Sequence, residues 1–268
     1  MTDKYAVIGN PISHSKSPLI HKMFAQQTAQ DISYVALESP LDGFAKTLQR
    51  LRAEGYKGCN ITVPFKLEAY ALAGELSERA KSAQAVNTLL IQADRLTGDN
   101  TDGIGLVTDI RKNLGCELRG KRVLLMGAGG AARGVAGPLL SAGAQLVISN
   151  RSMHKAEQLL TELATLGNMQ ASSYADLTGE QFDLVINATS SSLTDDMPPL
   201  PHGLFKVGAL AYDMMYGKQT PFLVFSKAQG ASLLADGLGM VVEQAAAAFQ
   251  LWRGVTPDTA PVIARLRA

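Results

Sequence analysis

Short apolar runs alternate with stretches of helical periodicity along almost the whole chain, and that alternation constrains the fold more than any other feature. "YAVIGNP", "ISYVALE", "CNITVP", "VNTLLIQ", "RVLLMGAG", "QLVISN", "FDLVINAT", "ALAYDMM" and "ASLLAD" read as strands, and the segments between them read as crossover helices. Such an order builds parallel α/β sheets. In "LDGFAKTLQRLRAEG", Leu41, Phe44, Leu48 and Leu51 recur at helical spacing and Gly55 supplies a stop, which predicts one such crossover. A length of 268 residues favours two domains, each with its own core. The turn-rich "TGDNTDGIG" marks the first boundary, and the helices after "ADGLGM" have no strand of their own to cover, so they return to the first domain. The expected division is 1–101 with 237–268 against 102–236. No internal repeat or low-complexity tract interrupts it.

Charge narrows the classes of partner. Charged residues make up 18% of the chain and the formal net charge is +1, so no electrostatic footprint for nucleic acid or an anionic membrane exists, and phosphate recognition has to be local. Cys59 and Cys116 follow no metal or CxxC spacing, which suits reduced thiols in a cytoplasm. "MTDKYAVIGN" enters a strand at once without the pattern of a secretory signal, and "MVVEQAAAAFQLW" is too short and too polar to span a bilayer. A cytoplasmic monomer or homodimer is expected.

"RVLLMGAGGAARG" runs from a strand through Gly127, Gly129 and Ala132 into a helix, the GxGxx(G/A) pattern in the context it requires. The first glycine permits the turn, the second lets a pyrophosphate approach the backbone, and the small third residue lets helix and strand pack closely. About 20 residues on, where an NAD protein carries an acid for the ribose, the chain has "SNRSMHK". Asn150 is neutral, and Arg151 with Lys155 puts positive charge where a 2′-phosphate would sit, so NADP is favoured. A basic side chain at a helix start opposes the helix dipole and asks for an anionic partner.

The first domain carries polar side chains at strand ends. In "GNPISHSKSPLIHK", Ser17-Pro18 has the form of a helix start, and the Ser15 and Ser17 hydroxyls beside a helix amino terminus suit a carboxylate. "NITVPFK" alternates as a half-buried strand through Val63, stops at Pro64, and leaves Lys66 just past the strand's carboxyl end, the edge where open α/β sheets bind ligands. Asn60 and Thr62 share that stretch, Asn87 begins another strand, and "GDNTDG" delivers Asp102 at the domain boundary. No catalytic role is assigned to His14. A serine hydrolase is set aside, because no GxSxG elbow follows a strand and "NATSSSL" lacks its glycines.

Together "GNPISHSKSP", "NITVPFK", "AVNTL", "GDNTDG", "GAGGAARG", "SNRS", "NATS", "YDMMY", "TPFL" and "ADGLGMVVEQAA" resemble, in order, the motifs of the shikimate dehydrogenase family over essentially the full length. The resemblance implies a substrate-binding α/β domain with a mostly parallel sheet and a Rossmann-type, doubly wound NADP-binding domain. It implies reversible reduction of 3-dehydroshikimate to shikimate with NADPH, in aromatic amino-acid biosynthesis. By that likeness Ser15, Ser17 and Tyr216 hold the substrate carboxylate, and Asn60, Thr62, Asn87, Asp102 and Gln244 bind its ring hydroxyls. Lys66 and Asp102 form the catalytic pair. Gly127, Ala128, Gly129, Gly130 and Ala131 cradle the pyrophosphate, and Asn150, Arg151, Ser152 and Lys155 surround the 2′-phosphate. Ala188, Thr189, Ser190, Met214, Gly237 and Met240 line the nicotinamide side. Lys22, Ser192 and the short "GKQ" link between Tyr216 and Thr220 depart from the family's common pattern. Ser17 and Asn150-Arg151 favour shikimate and NADP over quinate and NAD. The competing readings are a quinate/shikimate enzyme of broader specificity and a non-catalytic NADP-responsive binding protein.

A lysine ammonium, with a reference pKa of about 10.4, is already a proton donor at neutral pH. Lys66 is therefore expected to act as general acid in ketone reduction, with Asp102 orienting it.

Overall fold

The structure is a computed structural model that describes residues 2–92, 94–189 and 196–268. The chain divides into two compact units, Met1–Gly105 with Val241–Ala268, and Leu106–Met240. The boundaries expected at 101/102 and 236/237 fall a few residues earlier than these, because each crossing occurs inside a helix rather than in the turn before it.

The first unit runs β1 (Asp3–Gly9), α1 (Ser17–Thr28), β2 (Ile32–Glu38), α2 (Phe44–Ala53), β3 (Tyr56–Ile61), α3 (Lys66–Leu72), β4 (Glu75–Leu76), α4 (Glu78–Ala83), β5 (Thr88–Ile91) and β6 (Leu96–Asp99), and enters α5 (Asp102–Thr108). Its sheet has the order β2-β1-β3-β5-β6-β4. β1 pairs in parallel with β2 and β3, and β4 with β6, but β5 is antiparallel to both β3 and β6. "VNTLLIQ" is therefore the first strand of a hairpin with β6 rather than a parallel crossover product. On one face Phe44, Leu48 and Leu51 of α2 pack against Ile8, Ile61, Phe65 and Leu89. Leu41, which fits the same periodicity, lies before the helix and is exposed. On the other face Ile20 and Phe24 of α1 meet Val242, Phe249 and Val262. Each such fully buried side chain contributes roughly 1.5–3 kcal/mol of transfer free energy.

The second unit continues from α5 through a π-helical turn, Asp109–Asn113, to β7 (Arg122–Met126), α6 (Gly130–Ser141), β8 (Gln145–Ser149), α7 (Met153–Leu163), β9 (Met169–Ser172), a 3-10 turn (Ala175–Leu177), β10 (Phe182–Asn187), β11 (Phe205–Asp213), α8 (Pro221–Ala228) and β12 (Leu233–Asp236). The chain then enters α9 (Leu238–Arg253), which leads back to the first unit and to α10 (Ala260–Arg267). All pairings in β12-β11-β10-β7-β8-β9 are parallel. Counted within the unit this is the 3-2-1-4-5-6 order of the doubly wound dinucleotide fold, whose direction reverses between β7 and β10. Both faces are buried, one under α6 and α7, the other around Phe182, Phe205 and Phe222.

Candidate active site

In the first unit, β3 ends at Ile61 rather than running on to Val63, which is exposed. The chain turns at Thr62–Phe65, with Phe65 N donating to Thr62 O (3.0 Å) and Thr62 N to Ile8 O (2.9 Å). Phe65 anchors the turn by stacking on Phe44 with ring centroids 5.0 Å apart. Lys66 thus opens α3 instead of following a strand, and its carbonyl accepts from Val86 N at 2.9 Å. Its Nζ lies 2.6 Å from Asp102 Oδ2, with the two side chains 23% and 10% exposed. A pair this sheltered is screened far less than one on the surface.

Asp102 is in turn fixed by Asn87, whose Nδ2 donates to Oδ1 at 2.8 Å. The Asn87 amide cannot be turned the other way. Thr101 N, an obligate donor, points at Asn87 Oδ1 (2.8 Å), so the amide nitrogen must face the carboxylate. Gln244 on α9 places Oε1 3.3 Å from Asn87 Nδ2 and from Thr101 Oγ1. Asn60 and Thr88, cross-strand partners on β3 and β5, are joined by an Asn60 Nδ2 to Thr88 Oγ1 bond of 3.0 Å. Buried polar groups of this kind are tolerated only when hydrogen-bonded.

Ser17 is the first residue of α1, not its cap; Lys16 holds that position and no side chain caps the helix. The helix start therefore does not consume the Ser17 hydroxyl, although the side chain is buried. Ser15 Oγ accepts from Ser17 N at 3.3 Å. One turn later His21 is fully buried among Phe24, Tyr34, Phe249 and Trp252, and stacks on Tyr34 with centroids 4.1 Å apart. Burial lowers its pKa to about 3, with Asn60 acting weakly in the opposite sense, so the ring is neutral.

In the second unit the carboxyl ends of β7 and β10 meet where the strand order reverses. Gly127 has φ +110°, and a Cβ there would stand 3.0 Å from Ala188 O. Gly129 and Gly130 at the start of α6 are different: a side-chain atom on either would meet nothing within 4 Å. These glycines are not required by packing, and they leave open backbone at a helix amino terminus, the arrangement that receives a pyrophosphate. Ala132 is fully buried on the helix–sheet side. After β8, Asn150 Nδ2 donates to Ser152 O at 3.0 Å, while Arg151, Ser152 and Lys155 stand exposed around the start of α7. Arg151 also acts on Tyr174, whose hydroxyl burial pushes up to about 12. The donor set has two cations and no acid, which fits a 2′-phosphate.

The turns after β10 and β11 are tied together by buried Asp213. It accepts from Thr220 Oγ1 (2.6 Å), Asn187 Nδ2 (3.2 Å) and Met215 N (3.0 Å), and Thr189 Oγ1 donates to Asn187 Oδ1 (2.7 Å). Gly237 faces the Met214 carbonyl so closely that no Cβ fits, and its N–H donates to Met215 O at 2.9 Å.

Comparison with known proteins decides the family. The family model described as the shikimate dehydrogenase substrate binding domain matches residues 7–89, that of shikimate / quinate 5-dehydrogenase matches 109–194, and that of the shikimate 5'-dehydrogenase C-terminal domain matches 237–267. A shikimate dehydrogenase (NADP(+)) of Nitrosospira multiformis is 60% identical over 270 residues, covering 100% of this chain and 98% of the relative. The chain belongs to the shikimate dehydrogenase family. Among solved structures, an Ael1 enzyme from Pseudomonas putida superposes with a TM-score of 0.94 at 53% identity, covering 99% and 98% of the two chains. The shikimate 5-dehydrogenase of Thermus thermophilus in complex with NADP(H) and shikimate superposes with a TM-score of 0.88 at 34% identity, covering 99% of each.

Of the shikimate dehydrogenase residues expected from sequence, Lys66, Asn87, Asp102 and Gln244 form one hydrogen-bonded cluster in the first unit, with Asn60 attached through Thr88. Ser15 and Ser17 lie together at the start of α1, and Thr62 sits in the turn before Lys66. Gly127 to Ala131, Asn150 to Ser152, Lys155, Ala188, Thr189, Met214, Gly237 and Met240 belong to the second unit, as does half-buried Tyr216. Ser190 and Ser192 lie outside the described residues. Thr88, Thr101 and Tyr34 were missed. The first two stand inside the quoted motifs "AVNTL" and "GDNTDG", whereas Tyr34 carries no sequence signal beyond its place in a strand.

Proposed function

We propose that the chain reversibly reduces 3-dehydroshikimate to shikimate with NADPH, the step that gives shikimate on the route to aromatic amino acids. The observation that carries the site assignment is the 2.6 Å Lys66–Asp102 pair, sheltered and fastened to the Asn87 amide. When bound, NADPH supplies the hydride for the carbonyl carbon. Lys66 Nζ–H gives its proton to the carbonyl oxygen, so the developing alkoxide is neutralised as it forms. Asp102 holds the ammonium in place through Oδ2, and either of its oxygens has lone pairs left for a ring hydroxyl. Asn87, Gln244 and Thr62 complete the ring-hydroxyl contacts, and Asn60 is the remaining candidate. Ser15 and Ser17, with Tyr216, take the carboxylate.

For the cofactor, Gly127 to Ala131 receive the pyrophosphate and Asn150, Arg151, Ser152 and Lys155 the 2′-phosphate. Ala188, Thr189, Met214, Gly237 and Met240 form the nicotinamide side. The same assignment makes residues 1–101 with 237–268 the substrate domain and 102–236 the cofactor domain, apart from Gly237 and Met240, which serve the cofactor. No helix among the described residues is long and apolar enough to cross a membrane. We read the chain as a cytoplasmic enzyme working as a monomer or homodimer on small molecules.

The test is NADPH consumption with 3-dehydroshikimate, repeated with NADH and with Lys66→Ala. Turnover that is weak with NADH and collapses in the variant supports substrate, cofactor and lysine together. Faster turnover of quinate than of shikimate by the oxidised-cofactor assay would replace the substrate, and NADPH binding without turnover of either would replace the enzyme by a binding protein.

A further inference from the structure

We infer that Tyr34 is a positioning residue of this site: its phenol heads a one-directional hydrogen-bond relay through Asn60, Thr88 and Asn87 to the Asp102 carboxylate, held in register with Ser17. This role rests on the functional reading above.

The direction of the relay follows from groups that can only give or only take. Thr101 N fixes Asn87 Oδ1 as an acceptor. The Asn87 carbonyl, 3.3 Å from Asn60 Nδ2, fixes that nitrogen as a donor. Thr88 Oγ1 accepts from the same nitrogen at 3.0 Å, and of the two acceptors within reach of its own proton, Asn87 Oδ1 at 2.9 Å is nearer than Thr101 Oγ1 at 3.3 Å. Asn60 Oδ1 is left to accept, and Tyr34 O–H donates to it at 2.7 Å. Every donor from Tyr34 onward points toward Asp102, and bonds aligned in one sense polarise one another. Both amide hydrogens of Asn60 have partners within the protein, Asn87 O and Thr88 Oγ1.

The fold explains how Tyr34 reaches a residue two strands away. β1 lies between β2 and β3, and Tyr34, Tyr5 and Gly58 occupy one register row. Gly58 has no side chain, and a Cβ there would collide with Trp252. Tyr34 therefore extends along this face to Asn60, two residues beyond Gly58. Its ring is clamped on neutral His21, a turn after Ser17 on α1, with an interplanar angle of 9°. Burial pushes the Tyr34 hydroxyl well above the usual phenol range, with Ser17 acting weakly the other way, so it remains a donor. One phenol thus touches the element that carries the expected carboxylate ligand and the relay that ends at the catalytic pair.

The experiment is steady-state oxidation of shikimate by NADP+ with wild type, Tyr34→Phe, Thr88→Val, their double variant and Thr88→Ser. The expected result is a roughly tenfold rise in the KM for shikimate in each of Tyr34→Phe and Thr88→Val, with the KM for NADP+ unchanged. The double variant should be no worse than the worse single, because both cut one chain. Thr88→Ser, which keeps the hydroxyl, should restore the KM to within about threefold of wild type. A merely structural defect lowers the active fraction and hence kcat, leaving both KM values in place. Wild-type shikimate KM in both single variants, or strictly additive effects in the double, would overturn the relay. Should Tyr34→Phe fail to fold, the Thr88→Val and Thr88→Ser pair decides alone. A wild type that binds NADP+ but does not oxidise shikimate would instead remove the functional reading, a result separable from the others because it needs no variant.

Discussion

At the edge of the first sheet, polar side chains from Tyr34 to Lys66 hold one another at 2.6–3.0 Å, whereas the corresponding edge of the second sheet offers Gly129 and Gly130 with nothing within 4 Å of where a side chain would start. The two edges face different recognition problems. A small ring bearing hydroxyls and a ketone must be held by directional donors and acceptors, each fixed beforehand by a neighbour. A pyrophosphate can be held by backbone N–H groups and a helix dipole, provided nothing stands in front of them. Substitutions should therefore act oppositely: losing an atom harms the first edge, and gaining one harms the second.

The largest expected effect is on the first edge. Lys66→Ala should lower kcat for 3-dehydroshikimate reduction by about 10²–10⁴-fold, the usual contribution of a positioned general acid, while NADPH binding is kept. A variant retaining more than about a tenth of the wild-type kcat, an order below the general-acid range, would move the proton donor elsewhere.

Next comes a place where the second edge uses a side chain to hold its ligand. Arg151→Ala should weaken NADPH binding by about 10–100-fold, from the loss of charged hydrogen bonds worth roughly 1.5–3 kcal/mol, and leave NADH binding where it was. Titration of nucleotide fluorescence separates the two. Equal weakening of both nucleotides would take Arg151 off the 2′-phosphate and leave Lys155 as the discriminating cation.

The two glycines before α6 sharpen the contrast within one turn. Gly127→Ala places a side chain at φ +110° and 3.0 Å from Ala188 O, and should cost about 1–3 kcal/mol of stability, read as a lowered melting temperature. Gly129→Ala enters open space at φ −85° and should melt like the wild type, yet weaken NADPH about tenfold, roughly 1.4 kcal/mol. If Gly129→Ala bound NADPH normally, the open backbone at α6 would not be the pyrophosphate site.

The glycine edge was legible in the sequence because its information is local: a strand, a spacing of glycines and a helix within a dozen residues. Arg151 could be put forward for the same reason, at a fixed distance along the chain from the fingerprint. The side-chain edge was legible only in part. Lys66 and Asp102 announce themselves through a strand end and a turn, but what holds them comes from residues far apart in sequence, and Gln244 reaches Asn87 across 157 positions. Tyr34 and Thr88 could not be read at all, because a donor–acceptor chain is set by cross-strand register. The antiparallel direction of β5 was hidden for a related reason. Apolar runs announce strands, while pairing direction depends on the connection, and here the turn between β5 and β6 is short enough for a hairpin. A serine-proline pair has the form of a cap and first helical residue, but α1 starts one residue earlier relative to that pair, so Ser17 lies inside it.

A further effect tests whether the polar face of the first unit also makes it acid-sensitive. His21 is buried beside Phe24, Tyr34, Phe249, Trp252 and Asn60, none of which is charged, and its pKa is lowered to about 3 by burial. An unfolded histidine titrates near 6.5. Above about pH 6.5 both states are neutral and the group has no effect on the pH dependence of stability. As pH falls from there toward about 3, the unfolded chain takes up a proton that the native state refuses, so stability falls by up to about 1.4 kcal/mol per pH unit. Trp252, the only tryptophan of the chain, lies 5.4 Å from His21 and reports on the unfolding of this unit. Urea unfolding followed by its fluorescence at pH 7, 6 and 5 should show the wild type losing stability faster than His21→Leu as the pH falls, so that the variant's deficit narrows. Parallel pH slopes would mean that His21 can charge in place, and that the aromatic clamp around Tyr34 is looser than the stacked geometry implies.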